Sequence, residues 1–163
     1  MTQKYKAIRI AALIAAVMLM AAMWFFSSQT GEESGRLSGA VTRFLLKLVC
    51  LEPTPARLDR LGYIVRKAAH FNLFLCLGLA LGVAAGSPRK PFRALWAVPA
   101  AALCALGDEA HQHFVAARAA MWQDCLLDTC GALTGAALAL GIWALAARRR
   151  SKRTKSKKPI QNQ

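Results

Sequence analysis

The stretch from Gly107 to Gly131 reads GDEAHQHFVAARAAMWQDCLLDTCG and is unusually polar for this chain. It holds four carboxylates, two histidines and an arginine, in a chain of 163 residues of which 56% are hydrophobic. A charged side chain is costly in apolar surroundings unless it is paired and hydrogen-bonded. The stretch therefore either lies outside the apolar part of the protein or forms a site within it.

Four apolar segments account for most of the remaining chain: residues 7–26, 68–86, 94 to about 113, and 126–147. A helix needs roughly 20 mostly apolar residues to cross the hydrocarbon core of a bilayer. The first segment follows three cations, as a signal peptide does, but WFFSSQ stands where small residues should mark a cleavage site. The sequence predicts an all-α, polytopic membrane protein with four transmembrane helices in residues 1–147.

The distribution of charge predicts the orientation of these helices. With the N-terminus in the cytoplasm, 14 of the 22 lysines and arginines fall on the inner side, and all eight acids fall on the outer side. Cytoplasmic segments of membrane proteins carry such an excess of cations. We therefore expect a multi-pass protein of the cell membrane with both termini in the cytoplasm. The net charge of +14 then reflects topology rather than a nucleic-acid partner, and residues 148–163 form a basic, disordered tail.

Residues 36–51, RLSGAVTRFLLKLVCL, have the pattern of an amphipathic helix. Leu37, Val41, Phe44, Leu45 and Leu48 share one helical face, and Arg36, Arg43 and Lys47 share the opposite one. Such a helix is too polar to span a bilayer and is suited to lie along its outer surface. Packing on the other helices as a lid is a compatible alternative. The preceding TGEESG is expected to be a polar loop, and EPTP is expected to end the helix because proline cannot continue it.

The third apolar segment is short, because residues 94–106 cover only about two-thirds of the length needed to cross. To reach the outer surface, the helix has to continue through Asp108, Glu109, His111 and Gln112. Pro99 is a candidate position for a bend in it. The charged stretch is therefore expected at the outer edge of the membrane zone.

Polar residues occur at the same depth in all four segments. Ser27, Ser28 and Gln29 end the first segment, and Arg66, Lys67 and His70 open the second. Ionisable groups within membrane spans usually face the bundle and mark a functional site. We predict one shared polar pocket, lined by Ser28, Gln29, Arg66, Lys67, His70, Asp108, Glu109, His111, Gln112, Arg118, Asp124 and Asp128. In the alternative, Lys67–Asp128 and Arg118–Asp124 are structural ion pairs at the mouth of the bundle.

Metal and covalent chemistry have weaker support in the sequence. DEAHQH differs from the zinc-binding HExxH pattern, so His111 and His113 do not indicate a metal, and we expect no metal and no cofactor. No base stands beside Ser27 or Ser28 to activate either as a nucleophile. A disulfide between Cys50 and Cys125 is permitted on the outer side, but no cysteine pattern supports it.

Four motifs resemble those of the VanZ-like family in their order and spacing. They are FSSQ at residues 26–29, RKAAHF at 66–71, DEAHQHFVAAR at 108–118, and D-x-x-x-D-x-x-G-x-x-x-G at 124–135. The chain departs from the family pattern at three places. Asp128 stands where the family usually has Asn, Leu73 and Phe74 stand where it often has Glu and Tyr, and Ala117 replaces a common Gly.

The resemblance implies low-level resistance to the glycopeptide teicoplanin, which acts at the outer face of the membrane. The leading hypothesis is a pocket that binds the headgroup of a membrane lipid, a cell-wall precursor or a lipoglycopeptide. Arg66, Lys67 and Arg118 would contact its anionic groups, with Asp108 and Glu109 orienting those cations or accepting hydrogen bonds from the ligand. The second hypothesis is an enzyme acting on a lipid-linked substrate, with His70 or Glu109 as general base. A transporter is disfavoured, because the inner halves of the helices offer few polar groups.

Overall fold

The computed structural model describes residues 3–118 and 121–156, with side chains described to residue 152. Within this part the chain is helical and forms no strand. The elements are α1 (Gln3–Ser27), α2 (Gly31–Leu48), α3 (Pro55–Ala85), a 3₁₀-helix (Pro91–Trp96), α4 (Ala97–Gln112) and α5 (Trp122–Ser156). The basic tail begins inside α5, and its residues 157–163 lie outside the described residues.

Among the described residues, three helices are long and apolar enough to cross a membrane: Gln3–Ser27, Pro55–Ala85 and Trp122–Lys152. The fourth expected span is divided between the 3₁₀-helix and α4. Because α4 has 16 residues, it rises only about 24 Å, short of the roughly 30 Å of hydrocarbon. Pro91 starts the 3₁₀-helix, and Pro99 lies in the first turn of α4, where a missing N–H costs little.

Two contacts show how the three long helices run relative to one another. Near the start of α1, Arg9 Nε donates a 2.6 Å hydrogen bond to the carbonyl oxygen of Ala84, at the end of α3. Tyr5 packs edge-on against Trp143, in the second half of α5, with ring centroids 5.7 Å apart. Both α3 and α5 therefore run antiparallel to α1 and parallel to each other. The 3₁₀-helix and α4 return the chain from one end of the bundle to the other.

The α3–α5 contact is the most extensive in the bundle, and it depends on glycine. A Cβ atom at Gly131 would overlap the carbonyl oxygen of Phe71, and one at Gly135 would lie 2.5 Å from the backbone nitrogen of Leu79. Small residues allow membrane helices to approach at backbone distance. The glycine face of α5 thus admits α3 at backbone distance.

The core consists mainly of small side chains. Ala16, Ala101, Ala105 and Ala132 are fully buried around Phe74. Many large apolar side chains of the long helices, including Ile14, Val17, Met18, Leu138 and Leu145, face outward. Small residues inside and large apolar residues outside are typical of helices that pack within lipid, where close approach rather than hydrophobic burial drives association.

The start of α2 differs from the expected polar loop. Thr30 is the N-cap of this helix, and its hydroxyl oxygen accepts a 3.3 Å hydrogen bond from the backbone N–H of Glu33. The Glu33 carboxylate in turn accepts a 2.9 Å bond from the backbone N–H of Thr30. This is a capping box, and its T-x-x-E signature is legible in the sequence. The other boundary is as expected, because α2 ends at Leu48 and α3 begins at Pro55.

The two faces of α2 have different surroundings. Ser38, Thr42 and Leu46 are buried, and a Cβ at Gly62 of α3 would contact the Thr42 hydroxyl at 3.8 Å. The predicted apolar face points away from the bundle, and Phe44 at its centre is 62% exposed. Thus α2 packs on α3 through a narrow stripe of mostly small polar residues and leaves its apolar face without a protein partner within the described residues.

Candidate functional site

One end of the bundle, which we call the polar end, is formed by parts of four helices. These are the ends of α1 and α4, the first half of α3 and the start of α5. The buried polar side chains of this end are Ser27, Asp108, Glu109, Gln112 and Asp128. Because burial of charge is costly, these five buried polar side chains in an alanine-rich bundle indicate that their positions relative to one another are specific. Polar side chains of α1, α4 and α5 are therefore buried at the same end of the bundle.

At the centre of the polar end lie His70 of α3, Asp108 of α4 and Asp128 of α5. His70 Nδ1 is 3.6 Å from Asp128 Oδ2, and one ligand atom from each of the three residues lies within 4.8 Å of the others. The close approach at Gly131, one turn after Asp128, brings α3 near enough for this contact. We call these three residues the His-Asp-Asp triad.

Arg118 connects the segment after α4 to the end of α1. Its Nε donates to the carbonyl oxygen of Gln29 at 3.1 Å, and its Nη2 donates to that of Phe26 at 2.9 Å. Its Nη1 donates to Gln112 Oε1 at 3.3 Å, while Gln112 Nε2 donates to Asp108 Oδ2 at 2.7 Å. A cation near the last carbonyls of a helix is stabilising. Instead of the expected pair with an acid of α5, Arg118 holds the end of α1.

Lys67 pairs with Asp124, and its Nζ lies 5.1 Å from the ring centroid of Tyr63, within cation–π range. The expected partner was Asp128, which instead contacts His70. The reason is the register of two parallel helices. His70 lies three residues after Lys67, and Asp128 lies four residues after Asp124, so the two contacts are stacked about one turn apart.

Arg66 lies beneath α2, since a Cβ at Gly35 would be 3.7 Å from Arg66 Nη2. Its Nε is buried and has no hydrogen-bond partner within the described residues. Burial lowers the pKa of the Arg118 guanidinium, and the positive charge of Arg66 lowers it further. The two arginines are thus close enough to repel each other, and an anion between them would be stabilised.

Glu109 faces a cleft between α4 and α5. One carboxylate oxygen accepts a 2.8 Å hydrogen bond from the backbone N–H of Met121, and the other has no partner among the described residues. The cleft has a volume of about 520 Å³ and a mainly apolar lining that includes Leu106, Trp122 and Leu126. His113 also lines this cleft, and an apolar cavity with a few polar groups at its wall is the usual form of a small-molecule site.

Ser28 and His111 meet at the exposed rim of the polar end, although they are 83 residues apart in the sequence. Ser28 Oγ lies 3.2 Å from His111 Nε2, and the His111 ring stacks on Trp24 at 4.4 Å. The Ser28 hydroxyl donates its proton to the carbonyl oxygen of Trp24 at 2.8 Å. Because that hydroxyl is already engaged with the carbonyl oxygen and is not directed at the imidazole, the pair lacks the geometry of an activated nucleophile.

The structure brings the predicted pocket residues to one end but divides them into separate contacts. These are the His-Asp-Asp triad, the Arg118 network, the Lys67–Asp124 pair, the Ser28–His111 pair and the Glu109 cleft. Sequence reasoning missed the backbone partners at Phe26, Gln29 and Met121, because a carbonyl or N–H carries no signal in the sequence. It also missed the triad, because its members come from three helices. All five cysteines, including Cys50 and Cys125, are free thiols.

One comparison with known proteins gives a match. A family model described as VanZ/LLP1 matches residues 12–145, which is well over half of the chain. The matched region includes every residue of the polar end described above. No curated protein and no solved structure matches the chain.

Proposed function

Since this chain belongs to the VanZ/LLP1 family, we propose that it acts in the cell envelope by binding an anionic headgroup at the polar end. The headgroup belongs to a membrane lipid, a cell-wall precursor or a lipoglycopeptide such as teicoplanin. Low-level teicoplanin resistance, which the family resemblance implies, would follow from this binding. The observation that carries the proposal is the buried Nε of Arg66, which has no hydrogen-bond partner among the described residues, together with the partly buried Arg118, on which the charge of Arg66 acts.

The chemistry of these arginines favours phosphate or carboxylate as the ligand. A buried N–H without an acceptor costs roughly 1–3 kcal/mol, and Arg66 Nε is in this state. Guanidinium groups bind phosphate and carboxylate through paired, charge-assisted hydrogen bonds. An anion held between α3 and the segment after α4 would satisfy Arg66 and relieve its repulsion with Arg118.

We further propose that the polar end lies at the outer leaflet and that both termini are cytoplasmic. The excess of inner cations supports this orientation. The return of the chain through the 3₁₀-helix and α4 supports a fourth crossing, since together they rise about 36 Å. The exposed apolar face of α2 supports a position along the outer membrane surface.

The orientation can be tested with a membrane-impermeant maleimide on intact cells. In a variant that keeps Cys50 as its sole cysteine, this exposed thiol, just after α2, should react from outside. In a variant that carries Ser87→Cys as its sole cysteine, after α3, the thiol should react only after the membrane is permeabilised. The reverse pattern would reject the orientation.

The headgroup proposal is tested best at Arg66, because Arg118 also bonds to two carbonyls and its loss would perturb the fold. We expect Arg66→Gln to lose protection against teicoplanin and binding to anionic-lipid vesicles, at unchanged membrane abundance. Arg60→Gln is the matched control, since Arg60 is an exposed arginine of the same helix. Equal protection by the two variants would reject the pocket, and a wild type without protection would reject the resistance role.

An enzyme acting on a lipid-linked envelope substrate is the second candidate function. It is favoured by Glu109, which lines an apolar cleft and has one carboxylate oxygen without a hydrogen-bond partner among the described residues, since a general base needs a free oxygen to take up a proton. Incubation of the purified protein with lipid-linked precursors, followed by mass spectrometry, distinguishes turnover from binding. Loss of turnover in Glu109→Gln would support a general base. A transporter has less support, because no similar polar cluster occurs in the described part of the other end.

A further inference from the structure

The His-Asp-Asp triad is a compact set of potential metal ligands in the interior of the bundle. His70, Asp108 and Asp128 each offer one ligand atom, and these atoms lie within 4.8 Å of one another. Asp108 is 1% exposed and Asp128 is fully buried. Because α3, α4 and α5 each supply one ligand, the set exists only in the folded bundle.

Most polar atoms of the triad make no hydrogen bond in the described part of the chain, although Asp108 Oδ2 accepts one from Gln112 and His70 Nδ1 faces Asp128 Oδ2 at 3.6 Å. Both carboxylate oxygens of Asp128, Oδ1 of Asp108 and Nδ1 of His70 are buried and make no hydrogen bond. Elsewhere at the polar end, Lys67 is engaged by Asp124 and Arg118 by Gln112 and two carbonyls. Buried charges are retained in proteins when they are paired or coordinate a metal. A divalent cation would balance the two carboxylates and satisfy all three side chains together.

The donor set indicates the class of metal. Mg²⁺ and Ca²⁺ prefer six or more oxygen ligands, whereas an imidazole nitrogen favours a transition metal. Zinc accepts His nitrogen and Asp oxygen as ligands, and catalytic zinc sites have three protein ligands and one open position. In such a site the ligand atoms are about 3.3 Å apart, and His70 Nδ1 and Asp128 Oδ2 are already 3.6 Å apart.

We propose that His70, Asp108 and Asp128 bind one divalent transition-metal ion of the Zn²⁺ class in the interior of the polar end. Gln112 is the outer-shell partner, because its amide donates to Asp108 Oδ2 and leaves Oδ1 free for the metal. Arg118 orients that amide through Gln112 Oε1. The remaining coordination position accepts water or an oxygen of an anionic group. The metal site goes beyond the headgroup proposal and does not depend on it.

The test measures metal directly on the full chain, purified in detergent and stripped with a chelator. Wild type is equilibrated with Zn²⁺, and the amount of bound metal per chain is determined by elemental mass spectrometry. Co²⁺ in place of Zn²⁺ adds a visible absorption band that reports low-coordinate geometry. Asp128→Asn removes one ligand with nearly the same shape. Asp124→Asn is the matched control, because it removes the same charge one turn earlier on α5.

We expect one Zn²⁺ per wild-type chain. Because loss of an outer-shell partner alone weakens metal binding about 10–100-fold, Asp128→Asn should weaken it at least 100-fold. Asp124→Asn should bind with nearly wild-type affinity, and added Zn²⁺ should raise the melting temperature of wild type but not of Asp128→Asn. Wild type without stoichiometric Zn²⁺ would overturn the proposal whether or not the variant folds. Equal weakening by both variants would also overturn it, because that result indicates nonspecific attraction to acidic groups.

Discussion

Replacing Gly131 by Ala should separate α3 from α5 at the level of the His-Asp-Asp triad. The new Cβ would overlap the carbonyl oxygen of Phe71 and lie 3.2 Å from the backbone nitrogen of Leu75. Both neighbours are backbone atoms of a long helix and cannot rotate away, so the helices have to part by on the order of 1 Å. The 3.6 Å contact between His70 and Asp128 would lengthen accordingly.

The expected cost follows from overpacking, which typically destabilises by about 1–3 kcal/mol. Part of this packing cost is offset in the measured stability, because Gly→Ala within a helix gains up to about 1 kcal/mol of helix propensity. Gly141→Ala on the same helix gives the matched control, since a Cβ there would meet no atom within 4 Å. The difference between the two variants cancels the propensity gain and isolates the packing cost.

The assay is equilibrium unfolding of both variants in the same detergent. We expect Gly131→Ala to be less stable than Gly141→Ala by about 1–3 kcal/mol, a roughly 5- to 150-fold difference in the folded-to-unfolded ratio. Gly131→Ala should also bind Zn²⁺ more weakly than the control. If the two variants unfold at the same denaturant concentration, the backbone contact between α3 and α5 does not constrain the bundle and the reasoning is refuted.

Three further predictions concern single contacts. A double-mutant cycle of Lys67→Met and Asp124→Asn should show a coupling energy of up to about 1 kcal/mol, because the ion pair is partly exposed. If the two substitutions have additive effects on stability, the ion pair is contradicted. Arg118→Lys should lower stability by about 1–3 kcal/mol, because an ammonium cannot reproduce the three directions of the guanidinium hydrogen bonds. Backbone hydrogen exchange should rise at the end of α1, and unchanged exchange there would contradict the role of Arg118 in holding that end. Thr30→Ala should cost about 1 kcal/mol and loosen the first turn of α2 in the same exchange measurement. Hydrogen bonds from Thr30 hold the pKa of Glu33 below its ordinary value. The stabilisation of α2 by the ionised Glu33 is therefore complete above the ordinary pKa and is lost as the pH falls through the lowered pKa. Hydrogen-exchange protection of α2 that is unchanged by acid would count against the capping box.

The helices themselves follow closely from the sequence, because length and apolar composition are local properties. The candidate spans α1, α3 and α5 match the apolar segments at residues 7–26, 68–86 and 126–147. The start of α2 was predictable but missed, since Thr30 and Glu33 form a capping box that was interpreted as a loop. The division of the third segment at Trp96 depends on how Pro91 and its neighbours pack against α5, which the sequence alone does not specify.

Sequence alone thus determined that the chain is helical and that residues 7–26, 68–86 and 126–147 belong to helices apolar enough to span a membrane, whereas the fourth predicted span is divided in the structure. It also predicted that polar residues of separate helices lie at one depth. Charge is tolerated in an apolar chain only near an end or in a shared cluster, so composition and order suffice for this conclusion. Tertiary structure decided which groups meet. Whether Asp128 faces Lys67 or His70 depends on the register of α3 against α5, and that register is fixed by backbone contact at Gly131 and Gly135. A shift of one residue rotates a helical side chain by about 100°, so each partner is chosen by packing between helices and not by spacing along one of them.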